Sequence, residues 1–292
     1  MATNIEDRKA TEAMLPPGPA KLPYIGNLLS LRLDPLGYLQ RLQRTYGNMA
    51  TIYFGKNPAV LLFRPEYIRH VLVEHPRDFS NPGGLRNDND GGFASEGLLT
   101  IDGDKHRQQR RAVQPAFHKK QVEGYASIIN QYTRELLKTW YPGDRLDMSR
   151  AMQELTLRIV SKCLFSIDLS NQLASLSDAF DGVIGSSTSM AEDLLNIRID
   201  NPITGYGKRM AATRQLDMLI YTLIAQRRDD DRQYNDVLSM LMSAQSGEES
   251  DTKLTEKQIH DHILTFLAAG HETTAITLVW TLYLLSQYPQ VR

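Results

Sequence analysis

The chain has 292 residues, 41% hydrophobic and 23% charged, with a formal net charge of −1. That is long enough to bury a sizeable core in one or two domains, and the near-neutral balance gives no electrostatic ground for a nucleic-acid partner. A single cysteine, Cys163, excludes an intrachain disulfide and fits a reducing compartment. The opening stretch MATNIEDRKATEAMLPPGPAKLP has no apolar core, so residues 1–33 read as a polar tail and a stiff proline segment. Neither a signal peptide nor a transmembrane anchor is expected there, and a cytoplasmic location follows. Pro16, Pro17, Pro19 and Pro23 fix φ and should lay this piece extended over the surface.

From Asp34 to Tyr46 an N-cap, a proline at the first position and Gly47 as a stop predict a helix. NMATIYF and AVLLF, joined by GKNP, predict a β-hairpin, and PEYIRHVLV a short helix begun by Pro65. Residues 80–103, rich in glycine and with an NDND cluster, read as a long loop of the kind that often carries function. Beyond it the pattern is helical over 104–119, 121–140, 149–166, 171–185, 207–228, 233–244 and 255–287, with a softer break at 187–206. The fold class expected is mainly α with a small β element near the N-terminus.

The last helix is the longest. Thr255 with Gln258 three residues later resembles a capping box, and a run to Gln287 would be roughly 48 Å long. Its second half is apolar on every face, which calls for central burial or a membrane span. Ile263 to Leu285 is long enough to span, but His271 and Glu272 near the middle argue for a core helix.

Those two residues belong to AAGHETTA, residues 268–275, a polar interruption in an apolar run. An ionisable side chain is costly to bury unless something pairs with it. Gly270 costs about 1 kcal/mol in a helix interior and lets something small or flat approach the backbone. The Thr273 hydroxyl can return to the carbonyl of Ala269, weakening and bending the helix there. Glu272, in a low-dielectric setting that would push its pKa upward, could relay protons. The plainer alternative is a core helix whose threonines satisfy themselves and whose Glu272 points to solvent at a kink.

AAGHETTA resembles the central-helix signature [AG]-G-x-[DE]-T-T of the cytochrome P-450 haem-thiolate monooxygenases. The resemblance implies that Thr273 helps protonate iron-bound dioxygen, that Glu272 is the neighbouring acid, and that Ala269 and Gly270 form the groove beside the haem. In GDKHRQQRRAVQPAFHKK, His106 and Arg110 stand four apart on one helix face. They match the family's W-x-x-x-R, whose members hydrogen-bond the haem propionates, with His in place of the commoner Trp. Read without the resemblance, this segment is a solvated basic face. The order of parts, from LPPGPAKLPYIGN through helix, hairpin, HPRDFSN, loop and basic helix to the long helix, is also similar to the family's N-terminal half to two-thirds.

The resemblance implies a haem b cofactor and an incomplete cytochrome P-450-like fold. Residues 34–292 would be the N-terminal part of a single haem-monooxygenase domain. The family's later E-x-x-R and cysteine loop are not found. Glu66 to Arg69 has that spacing but lies in an early helix, and Cys163 in RIVSKCLFSI reads as a small buried hydrophobe. Without a thiolate there is no electron push for O–O cleavage, so residues 1–292 alone are expected to be inactive. The resemblance further implies a small hydrophobic substrate met by Phe266 and Ile276, dioxygen, and a separate ferredoxin or flavoprotein reductase carrying NAD(P)H-derived electrons. The rival is a non-catalytic helical protein that binds an apolar ligand. A helical regulator using KHRQQRR on nucleic acid is weaker, since no DNA-reading motif accompanies it.

Overall fold

The computed structural model describes residues 15–80, 94–169, 172–184, 199–246 and 253–291. They divide into two compact units, Met1–Ser80 and Asn81–Arg292.

In the first unit, helices α1 (Leu28–Leu33) and α2 (Pro35–Tyr46) precede an antiparallel pair, β1 (Met49–Phe54) and β2 (Asn57–Leu62). The Asp34 carboxylate caps α2 by accepting from the Gly37 amide at 3.1 Å, with Pro35 at the first position. Gly55, at φ 62°, takes the left-handed conformation of the tight turn, so the link is shorter than GKNP and β2 begins at Asn57. Pairing runs from Met49↔Leu62 to Phe54↔Asn57. That register turns Ala50 and Ile52 onto Tyr38 and Leu42 of α2 as a small core. The proline segment lies extended along β1: the Thr51 amide and hydroxyl donate to the carbonyls of Pro17 and Pro16 at 3.1 and 2.6 Å. Helix α3 (Pro65–Arg69) passes into a π turn over His70–Glu74. Helix α1 was not expected from the sequence.

In the second unit the regular elements among the described residues are all helices: α4 (Gly103–Val113), α5 (Lys119–Leu137), α6 (Met148–Phe165), α7 (Leu173–Ile184), α8 (Gly205–Arg228), α9 (Val237–Ser246) and α10 (Glu256–Gln287). The helix expected over 104–119 is cut at Val113, because Pro115 cannot continue the α ladder and Gln114–Phe117 tightens to a 3-10 turn. The start expected at 233 moves to Val237, where Asp236 accepts from the Ser239 amide at 2.9 Å. Of the loop 80–103, only residues after 93 are described, and of the break 187–206, only residues from 199.

Two cores meet on α10. Leu157 and Phe165 of α6, Phe180 of α7, Leu216 and Ile220 of α8, and Leu241 of α9 pack on Ile259, Ile263 and Leu267. Farther along, Tyr132 of α5 with Met152 and Leu155 of α6 pack on Ala275. Among the described residues α10 alone is long and apolar enough to cross a membrane. Its burial runs opposite to expectation. The more polar first half, from Gln258 to Thr265, is sealed, whereas Ile276, Trp280 and Leu284 of the apolar half are 49%, 60% and 49% exposed. The first half is enclosed by α6, α8 and α9, and the second is packed by α5 and α6 along one side.

Candidate active site

Helix α10 begins with the expected capping box. Thr255 accepts from the Gln258 amide at 3.2 Å and the Gln258 side chain accepts from the Thr255 amide at 2.8 Å. Spacings of three and four place Phe266, Ala269, Thr273 and Ile276 on one face of α10. That face is open at Ala269, Thr273 and Ile276 and half-covered at Phe266. The Thr273 hydroxyl donates to the Ala269 carbonyl at 2.7 Å. The same back-bond recurs from Thr274 to Gly270, Thr277 to Thr273 and Thr281 to Thr277, at 2.7–2.9 Å. Each of these carbonyls serves a second donor, which loosens the helix locally.

Glu272 lies half-buried beside this face rather than enclosed in the core. His271 points the other way: its Nδ1–H donates to the Leu267 carbonyl at 2.7 Å and its ring lies 4.7 Å from that of Phe180. Burial pushes its pKa below the ordinary value. Gly270 faces α6, where a Cβ would stand 2.6 Å from Val160 Cγ2, so close helix packing demands the glycine.

His106 is half-buried and Arg110 exposed on α4. Among the described residues neither side chain has a hydrogen-bond or ion-pair partner, which leaves their donors available to an anionic group. Phe117, just after α4, meets Phe266 at a ring separation of 5.6 Å and so links the end of α4 to the Thr273 face. Beside that face, α5, α6 and α10 enclose an apolar groove of about 670 Å³ lined by Tyr125, Leu136, Ile159, Gly270 and Leu278. Thr273 does not line it. Cys163 is buried, and burial pushes its thiol up to about 11, so it is not a thiolate at neutral pH.

The sequence reading passed over QIHDHI at the start of α10. Asp261 accepts from the Glu96 amide at 2.8 Å and from Lys257 at 2.6 Å, and holds His260 at 2.8 Å. His262 is fully buried, with no partner at either ring nitrogen among the described residues. Three ionisable residues in a row inside an apolar pattern were the available signal.

A family model described as Cytochrome P-450 matches residues 16–292. Cyclooctat-9-en-7-ol 5-monooxygenase of Streptomyces melanosporofaciens is 31% identical over 94% of this chain and 59% of its own length. Pentalenene oxygenase of Streptomyces avermitilis is 30% identical over 94% of this chain and 60% of its own. The chain thus spans about three-fifths of the length of these curated relatives. Among solved structures, the retinoic acid-bound cyanobacterial CYP120A1 superposes with a TM-score of 0.77, at 20% identity, over 95% of this chain and 61% of that one. That likeness is one of fold. With the family match running from the proline segment to the end of α10, the chain belongs to the cytochrome P-450 family.

Proposed function

We propose that this chain forms the N-terminal part of a single haem-monooxygenase domain, residues 34–292. The whole protein would insert one oxygen atom of dioxygen into a small hydrophobic substrate and release the other as water. Two electrons would come from NAD(P)H through a separate ferredoxin or flavoprotein reductase. The observation that carries this reading is the open face of α10, where the Thr273 hydroxyl sits one turn from Ala269 and donates to its carbonyl at 2.7 Å.

Haem is the cofactor of this family, and the residues present fit it. An exposed helix face with small side chains at Ala269 and Thr273 admits a flat group, and the unpartnered donors of His106 and Arg110 suit its propionates. When bound, the haem would supply the activation of dioxygen and the transfer of one oxygen atom. Thr273 would hold a proton at Oγ1 on the open face. Glu272, half-buried beside it, would pass protons in from solvent. Ala269 would keep the open face free of bulk while Gly270 lets α6 pack close behind it, and Phe266 and Ile276 would exclude water and receive the substrate. Two relatives are named for acting on cyclooctat-9-en-7-ol and pentalenene, which supports a substrate of that hydrophobic kind. The iron's cysteine ligand is not Cys163, since a buried thiol raised to about 11 gives no thiolate. Residues 1–292 alone are therefore proposed to be inactive.

The test is a haem-loaded preparation of the whole protein, assayed for its carbon monoxide difference spectrum and for product formed per NAD(P)H consumed. Thr273→Ala should keep the spectrum and lose about 10²-fold in product rate, while Cys163→Ser should change neither. Loss of the spectrum in Cys163→Ser, or full product rate in Thr273→Ala, would refute these assignments. A second reading rests on the 670 Å³ groove: a non-catalytic protein that holds an apolar ligand there. Failure of the whole protein to bind haem would favour it.

A further inference from the structure

The start of α10 carries a buried charge cluster that the oxygen chemistry does not use. His260 is 4% exposed and Asp261 2%. The His260 Nδ1 is 2.8 Å from Asp261 Oδ1 and its Nε2 is 3.1 Å from Asp217 Oδ1 on α8. The second contact is a charge contact, not an aligned hydrogen bond. Tyr221 of α8 stacks on the imidazole at 4.4 Å. The other carboxylate oxygen of Asp261 takes the Glu96 amide at 2.8 Å and Lys257 at 2.6 Å, and Lys257 also reaches Ser95 Oγ at 3.1 Å. One further ion pair, Arg228 to Glu256 at 2.7 Å, joins α8 to α10 nearby.

Carboxylate oxygens only accept, so an imidazole with a carboxylate close to each nitrogen is favoured with a proton on both. A neutral ring would set a lone pair against an anion on one side. The 94–101 segment, tied to Asp261 through the Glu96 amide, fits tightly against α10: a Cβ on Gly97 would stand 2.2 Å from Thr265 Oγ1 and 2.7 Å from the Asp261 carbonyl. We infer that His260 is held as an imidazolium that clamps α8 to the first turns of α10, beside the 94–101 segment that Asp261 and Lys257 hold, and that losing its proton slackens the clamp on α8.

The direction of the pH response follows. Burial works against the charge on His260, but the Asp217 and Asp261 carboxylates outweigh it and hold its pKa above the ordinary 6.5. Burial works against Asp261 too, yet His260, Lys257 and the Glu96 amide hold it below 3.8. The contribution of His260 is complete below pH 6.5 and is lost as pH rises through its raised value. That of Asp261 is complete above 3.8 and is lost only in strong acid. The clamp is tight from mildly acid to neutral pH and slackens on the alkaline side.

The experiment is hydrogen exchange on the full chain between pH 6 and 9, corrected for intrinsic rates, read at the α8 turn around Asp217 with residues 94–101 as the internal reference. It needs neither haem nor turnover, so it stands apart from the proposed activity. Protection at the α8 turn should fall severalfold across the His260 titration while residues 94–101 keep theirs, and it should stay level in His260→Gln. Since that variant could fold poorly, the His260 imidazole shifts are followed by NMR in the wild type and in Asp217→Asn, whose changed residue is partly exposed. The expected result is a wild-type midpoint above the ordinary histidine value that drops in Asp217→Asn. A midpoint at or below that value, or wild-type protection indifferent to pH, would overturn the inference.

Discussion

His262, fully buried two residues beyond His260, has the opposite titration. Burial pushes its pKa down to about 4. It folds neutral, and any proton it takes must be carried in a desolvated site. Its contribution to stability is complete above pH 6.5 and is lost as pH falls from there toward 4. His262→Leu removes two unpartnered polar atoms from the core. We expect it to leave stability at pH 7 unchanged or raise it by up to about 1–3 kcal/mol, and to flatten the acid limb of a plot of melting temperature against pH. A variant as acid-sensitive as the parent would show that other groups set that limb. The surroundings of His260 could not be read from QIHDHI, because Asp217, Tyr221 and Glu96 lie far away in the chain. The same is true of Gly270: its sequence context suggested room for a ligand, and Val160 of α6 supplies the immediate steric reason for it.

Elements were legible where their signals are local. Asp34 with Pro35, and Thr255 with Gln258, announce α2 and α10, and both caps form. Thr255→Ala should cost about 1 kcal/mol, measured as a fall in the urea midpoint at constant slope, with Thr255→Ser recovering most of it. An unchanged midpoint would mean that burial of Gln258–Thr265 fixes the start of α10 without the cap. Helix α1 escaped because LLSLRL follows a proline run and has no side-chain cap. Pro115 was absorbed into a helical pattern although its ring had to end α4. Composition could not tell which half of α10 has neighbours, because α6, α8 and α9 gather around the half that carries the charges.

At the scale of the molecule, the exposed apolar stripe of Ile276, Trp280 and Leu284 adjoins the face assigned to haem. A contiguous patch of this kind favours association or ligand capture. The 292-residue chain without haem should bind a hydrophobic dye and sediment with a concentration-dependent mass. Trp280→Lys should lessen both while changing stability by no more than about 0.5 kcal/mol. If dye binding and mass stay as in the parent, the stripe is not the adhesive surface.

The threonine ladder gives α10 an uneven stiffness. Between Ala269 and Thr281 the backbone shares its acceptors with hydroxyls on exposed positions, whereas the stretch at Asp261, which takes the same back-bond from Thr265, is pinned from two sides. As a beam, the helix is anchored at one end and more weakly held beyond Ala269, the stretch that contains Thr273. The Thr273 hydroxyl on that stretch can swing between its own backbone and whatever lies across the open face, while the anchored end of the beam stays still.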